Sequence, residues 1–311
     1  MSAIEVKDLQ KSFGARQAVD GVSFAVGEGE VYGLLGPNGA GKSTTLALIS
    51  GLLRPQGGSV RIGGWDVQRD ASKAKGLLGV VPQEPAIYPQ LSGLANLHFF
   101  GELQGLAGPE LAAATEKALA LVGLQDRAKE RAGKYSGGMK RRLNIAVGLI
   151  HSPKVLIMDE PTVGVDPQSR RHILDTVKAL KAGGTTIVYT SHYVEEVEYL
   201  CDRVAIMDHG QMLAEGSTAD LLRQAGQYQE LGIILSDCDG LSLERVRSLP
   251  GVHEATAQGN LLRVLTASAE QVLPLVFESL VQQRLQVVEI KISKPSLESL
   301  FLKLTGRALR D

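Results

Sequence analysis

The stretch Gly36-Pro37-Asn38-Gly39-Ala40-Gly41-Lys42-Ser43-Thr44 fits the phosphate-loop pattern, a glycine followed by four residues and then Gly-Lys-Ser. The apolar run Val31 to Leu35 before it reads as a buried strand. The apolar-spaced run Thr44 to Leu53 after it reads as a helix that Gly51 weakens near its end. A loop that turns a strand into a helix leaves backbone N–H groups pointing into the turn. Gly36, Gly39 and Gly41 let that backbone wrap a phosphate closely, because glycine has no Cβ and tolerates positive φ. The helix start adds unpaired donors and the positive end of its dipole. In this setting Lys42 reaches the β- and γ-phosphates, and the Ser43 hydroxyl is a ligand for Mg²⁺.

Upstream, Ile4 to Val6 and Val22 to Val26 read as two further strands. Phe13 falls in the loop between them, where an aromatic either stacks on a base or packs as a partly buried core residue. Downstream, Gly58 to Trp65 reads as a strand and turn, and Leu77 to Pro82 as a short strand ending at Gln83. A glutamine there ligates Mg²⁺ through its amide oxygen, holds the attacking water, or is simply solvated. Residues 84–134 change character, with helices expected at about 93–104, 109–123 and 124–131, an insertion between strands of an α/β sheet. Tyr135-Ser136-Gly137-Gly138-Met139 then opens an amphipathic helix to about Ile150. Glycines weaken a helix start, so Gly137 and Gly138 are expected to serve close approach to backbone N–H groups rather than packing. Ser136 is a candidate N-cap or phosphate ligand. Lys140-Arg141-Arg142 reads as a solvated face.

Lys154 to Glu160 carries four consecutive apolar residues, the pattern of a central parallel strand buried on both faces. Two carboxylates at the end of such a strand are costly unless they serve a cation or a reaction. Asp159 is therefore expected to hold Mg²⁺ and Glu160 to polarise the attacking water as general base. A loop with Asp166 follows, then a helix at about 168–182. Thr185 to Thr190 is another buried strand, ending at Ser191-His192. A last strand pair turns at Asp208-His209-Gly210.

Composition sets limits on function. A formal net charge of −1, with 22% charged residues, removes the case for a broadly basic nucleic-acid binder. No run approaches the roughly 18 apolar residues that span a bilayer. Residues 1–30 carry no signal-peptide pattern. Cys201 and Cys238 stand in no metal spacing and read as reduced thiols of a cytosolic protein.

Five motifs stand in one order: Gly36–Thr44, Gln83, Ser136–Met139, Val155–Glu160 and His192. Together they resemble the ATPase subunit of an ATP-binding-cassette (ABC) transporter, over residues 1 to about 224. The resemblance implies an α/β fold, a phosphate-loop ABC ATPase domain with a mixed sheet, at 1–225, and a helical subdomain at about 84–150. It implies that ATP is shared between two copies, held by the loop of one and Ser136-Gly137-Gly138 of the other. By the same resemblance Phe13 stacks on adenine, Gln83 senses Mg²⁺ and a membrane partner, and His192 contacts the γ-phosphate. Asp166 sits at the dimer seam. The helical insertion carries the groove for a cytoplasmic helix of a membrane permease. The commonest signature has Leu before the serine and Gln after the glycines; Tyr135 and Met139 stand there instead. They resemble the subset serving ABC-2 type membrane subunits, as do Glu160–Pro167 and Leu304-Thr305-Gly306-Arg307. The expectation is an ATPase subunit, a homodimer when ATP is bound, peripheral on the cytoplasmic face of the cell membrane and driving export without nucleic acid. The competing reading is a soluble ABC-type ATPase that remodels a ribosome or DNA complex. A single phosphate loop and no heptad run speak against it.

The tail, 226–311, opens at a linker expected at Gly226-Gln227. Strand 228–235, helix 242–249, strands 252–257 and 261–266, helix 270–284 and strand 286–292 give the order of a ferredoxin-like α+β unit. Pro274 is expected to delay the second helix, and a final helix runs from about Ser296 to Leu304. No catalytic constellation stands there, and a small packing or dimer-contact domain is expected.

Overall fold

β1 (Ser2–Phe13) and β2 (Arg16–Gly27) form a long antiparallel hairpin in a computed structural model that describes residues 2–225, 229–293 and 296–305. The first strand runs well past Val6. Asp8, at φ 47°, shifts the register between Val6 and Leu9 and interrupts the alternation of buried and exposed positions. β4 (Gly57–Ile62) and β5 (Trp65–Asp66) complete a four-stranded antiparallel sheet in the order β2-β1-β4-β5.

β3 (Val31–Leu35) begins the second sheet and leads into α1 (Lys42–Ile49). After α2 (Ala71–Gly76) come β6 (Leu78–Val81) and the helical segment, α3 (Gly93–Leu103) and α4 (Gly108–Leu121). The helix expected at 124–131 is replaced by two 3₁₀ turns, Gln125–Arg127 and Ala132–Lys134. The Arg127 carbonyl accepts from the Tyr135 hydroxyl at 2.7 Å, which serves it where a further helical turn would have. α5 (Gly137–Leu149), β7 (Val155–Asp159), α6 (Pro167–Ala182), β8 (Thr186–Ser191), α7 (Val194–Leu200), β9 (Arg203–Asp208) and β10 (Gln211–Ser217) follow. This sheet has the order β10-β9-β3-β8-β7-β6, parallel except for β10. α1 touches β1, β2 and β4 of one sheet and β7 of the other, so it lies between them. Leu46, Leu48 and Ile49 bury there in one core with Ile4, Val6 and Ile157.

The first compact unit extends to Thr218 and the second begins at Ala219. The linker expected at Gly226-Gln227, and Gly306-Arg307 of the terminal motif, lie outside the described residues. The second unit takes in α8 (Thr218–Ala225) from its second residue on, then β11 (Gln229–Leu235), α9 (Leu243–Arg247), β12 (Val252–Gln258), β13 (Leu261–Thr266), α10 (Ala269–Gln282), β14 (Val287–Ser293) and α11 (Leu297–Thr305). Its sheet runs β12-β13-β11-β14, antiparallel throughout, which is the ferredoxin-like arrangement. Leu231, Ile233 and Val264 pack under Val272, Val276 and Leu280. Pro274 does not delay α10; it sits inside the helix, one turn after Glu270, whose carbonyl thereby loses its usual donor.

Candidate functional site

The parallel sheet gathers the site by aligning strand ends. Leu35 of β3 stands beside Ser191 of β8, Thr190 beside Asp159 of β7, and Met158 beside Val81 of β6. The phosphate loop, His192, Asp159-Glu160 and Gln83 each begin where one of these strands stops. A ligand of a parallel sheet binds at such carboxyl ends.

The loop glycines are required by space as well as by dihedral angle. A Cβ at Gly36 would come 2.3 Å from the Met207 carbonyl oxygen, and one at Gly41 2.5 Å from that of Ala18. Gly41, the N-cap of α1, has φ 106°, where side chains rarely go. Lys42 is 4% exposed; its Nζ donates to the Gly36 and Pro37 carbonyls at 2.7 and 3.1 Å. The same Nζ lies 3.3 Å from Glu160 Oε1. Ser43 is exposed into a cleft of about 370 Å³ that Phe13, Asn38, Thr44, Gln83 and Glu160 also line. Phe13 is 51% exposed at the end of β1, which settles it as a surface ring rather than core.

Glu160 follows β7 at φ 42°, a left-handed conformation for a non-glycine residue and a strain of about 1–3 kcal/mol. Its N–H donates to Thr190 Oγ1 at 2.9 Å, and the Thr190 hydroxyl donates to Asp159 Oδ1 at 2.7 Å, so one threonine fixes both carboxylate residues. Glu160 Oε2 accepts from Gln83 Nε2 at 3.2 Å. His192 Nδ1 lies 3.4 Å from that oxygen without hydrogen-bond geometry. Lysine, glutamine and the glutamate that joins them thus share one cleft, and His192 touches that glutamate without lining it.

Ser136, Gly137 and Gly138 do not line it. Ser136 caps α5, accepting from Met139 N at 3.2 Å. The two glycines differ, which corrects the expectation that neither serves packing. A Cβ at Gly138 would come 2.0 Å from Ser169 Oγ and 2.9 Å from Asp166 Oδ2, whereas one at Gly137 would meet nothing nearer than 4.0 Å. Asp166 is exposed and caps α6, accepting from Ser169 N at 2.9 Å; that bond holds its carboxyl below the usual range. The basic run is not a solvated face either. Arg142 donates to the Val122 and Gly123 carbonyls. Arg141 donates to the Val163 carbonyl at 3.4 Å; burial pulls its guanidinium pKa down, with Glu160, Glu84 and Asp159 acting against that.

Three residues of the site gave no sequence signal. Arg16 donates to the Gly39 carbonyl at 3.0 Å and steadies the loop from β2. Thr190 reads only as the last residue of an apolar strand. Glu196, beside Glu195 in sequence, is 2% exposed. Its Oε2 accepts from Thr162, Tyr189 and Ser191 hydroxyls, each at 2.9 Å, and its Oε1 from Arg170 Nε at 2.5 Å. It ties the segment after Glu160 to the strand end that carries His192. Burial, then the Glu196 charge, pushes the Tyr189 hydroxyl far up.

A strand, a glycine loop closed by a buried lysine, and a strand-end Asp-Glu pair define a phosphate-loop nucleotide hydrolase. Residues 19–163 match the ABC transporter domain family. The chain is 44% identical to the linearmycin resistance ATP-binding protein LnrL of Bacillus subtilis, covering 99% of this chain and 100% of that one. It is 38% identical to the Nod factor export ATP-binding protein I of Rhizobium sp. (strain N33), over 99% and 98% of the two chains. Among solved structures it is similar to an ATP-binding subunit of an ABC transporter, with a TM-score of 0.66, 30% identity, and coverage of 72% of this chain and 93% of that one. The chain therefore belongs to the ABC transporter family, as an ATP-hydrolysing subunit of its exporter group. Among the described residues no helix is long and apolar enough to cross a membrane.

Proposed function

We propose that this ATPase binds Mg-ATP in the cleft of one copy and closes it with Ser136, Gly137 and Gly138 of a second, and that the cycle of closure and release drives export through a separate ABC-2 type permease. The observation that carries the reading is the convergence of Lys42, Gln83 and His192 on Glu160.

Phe13 offers an exposed ring at the cleft edge for adenine, and Lys42 with the loop amides holds the phosphates. Glu160 takes the proton of the attacking water as general base. His192 meets the γ-phosphate, and Asp166 lies at the seam between copies. The donor set fits Mg²⁺: the Ser43 hydroxyl, the Gln83 amide oxygen and the Asp159 carboxylate are hard oxygen donors. Bound there, Mg²⁺ would neutralise charge developing on the phosphates.

Gly137 supports the shared site, since its missing side chain answers no need of this chain's own packing. Docking of a permease helix, and with it a peripheral place on the cytoplasmic face of the membrane, is supported by Tyr88, Phe99 and Phe100. Their rings pack together at 5.0–5.9 Å while Tyr88 and Phe99 stay 45% and 37% exposed. Such a ring cluster is a natural anchor site for an amphipathic helix. The deciding experiment is gel filtration of Glu160→Gln with Mg-ATP. A nucleotide-dependent dimer is expected, and a monomer would remove the shared site. Lys42→Ala is expected to lose nucleotide affinity.

A further inference from the structure

The sheet of the second unit has two edges of opposite character. β12 exposes His253, Glu254, Thr256 and Gln258, a polar edge. β14 alternates charge with large apolar side chains, and leaves Val288, Ile290 and Ile292 67%, 37% and 47% exposed. Ile290 and Ile292 stand opposite Ile233 and Leu231 of β11, which are fully buried. Ile290 and Ile292 therefore belong to the core face and continue it beyond the last strand. Among the described residues β14 pairs with β11 alone, and its other side is an unpaired row of main-chain donors and acceptors. An apolar edge of this kind is a template for another strand.

We propose that β14 pairs with β14 of a second copy of this chain, antiparallel about Ile290, joining two four-stranded sheets into one of eight. Directly opposed residues of an antiparallel pair share a face, so a two-fold axis normal to the sheet must centre on a residue pair of one kind. Centring on Glu289 sets glutamate against glutamate, and centring on Lys291 sets lysine against lysine. Like charges directly opposed are destabilising. Centring on Ile290, the middle residue of Val287–Ser293, brings Glu289 against Lys291 of the second copy twice over. The same register sets Ile290 against its own copy and Val288 against Ile292. Glu289 to Ser293 hold continuous register with β11; the only shift lies at the Val287 end, so the centre of the strand is regular enough to be paired on both sides. This contact uses no nucleotide and is separate from the closure at the phosphate loop.

Sedimentation equilibrium of the full chain without nucleotide tests it. The natural chain is expected to dimerise. Glu289→Lys and Lys291→Glu should each raise the dissociation constant about tenfold, and the two together should restore it to within about threefold. Hydrogen exchange should show amide protection at 289–292 that grows with protein concentration. A nucleotide-free monomer at every concentration overturns the proposal. So does a dimer indifferent to the single exchanges, or a double variant no better than the singles. An unchanged thermal midpoint in each variant excludes misfolding as the cause. Because no nucleotide is present, failure here leaves the ATP-dependent dimer of Glu160→Gln untouched.

Discussion

Glu160 and Glu196 are both buried carboxylates near the ends of central strands, 5% and 2% exposed, and they are treated in opposite ways. Glu196 accepts four short bonds from three hydroxyls and an arginine. Glu160 has contacts of 3.2–3.4 Å, and one of them, from His192, lacks hydrogen-bond geometry. Its backbone is also strained. A carboxylate whose acceptor positions are filled at short range has nothing left for a substrate and serves as a fastener. One that is buried, strained and loosely partnered keeps an oxygen for a passing proton.

The largest expected effect is on turnover. Glu160→Gln should lower ATP hydrolysis by about 10²–10⁴-fold while the thermal midpoint stays near that of the parent chain, since amide and carboxylate have the same shape. Equal loss of stability and activity would erase the contrast with Glu196. Glu196→Ala should do the reverse: it strands three buried hydroxyls and an arginine, and chemical denaturation should register a loss of about 3 kcal/mol. That figure sits at the low end because Arg170 keeps 34% of its side-chain exposure. If the midpoint held and only hydrolysis fell, Glu196 would belong with the reacting groups.

The glycine pair carries the same division between fastening and function. Gly138→Ala should destabilise by about 1–3 kcal/mol, because Ser169 must shift to admit the methyl. Gly137→Ala should leave the midpoint unchanged and weaken the ATP-bound dimer in gel filtration. The smallest effect concerns His151, a half-buried ring whose Nε2 lies 3.1 Å from the Leu78 carbonyl. Burial holds its pKa below the usual histidine range. Between that depressed value and about 6.5 the unfolded chain binds more protons than the folded one, so stability rises with pH and is lost as pH falls. His151→Leu should flatten that slope, measured as denaturation midpoint against pH.

What was legible in the sequence followed from burial on both faces. Val31–Leu35, Val155–Asp159 and Thr186–Ser191 are apolar runs because helices or strands cover each side, and the strand ends mark the site directly. The illegible parts depend on partners remote in sequence. The packing of Gly138 depends on Ser169, and Glu196 is structural only because Thr162, Tyr189, Ser191 and Arg170 meet it in space. The full length of β1 was hidden by one left-handed aspartate, and the turn at Gln125–Arg127 by a tyrosine hydroxyl.

The ammonium of Lys42 donates to two loop carbonyls and forms an ion pair with Glu160 at 3.3 Å. On the proposed function, an incoming triphosphate competes with Glu160 for that ammonium, and Glu160 is the residue proposed as base. On that reading fuel capture and arming are coupled, because a phosphate that takes the lysine releases one glutamate oxygen from its cation. Neutralising the rival should sharpen capture, so Glu160→Gln is expected to hold ATP more tightly than the parent chain in equilibrium titration, quite apart from its slower chemistry.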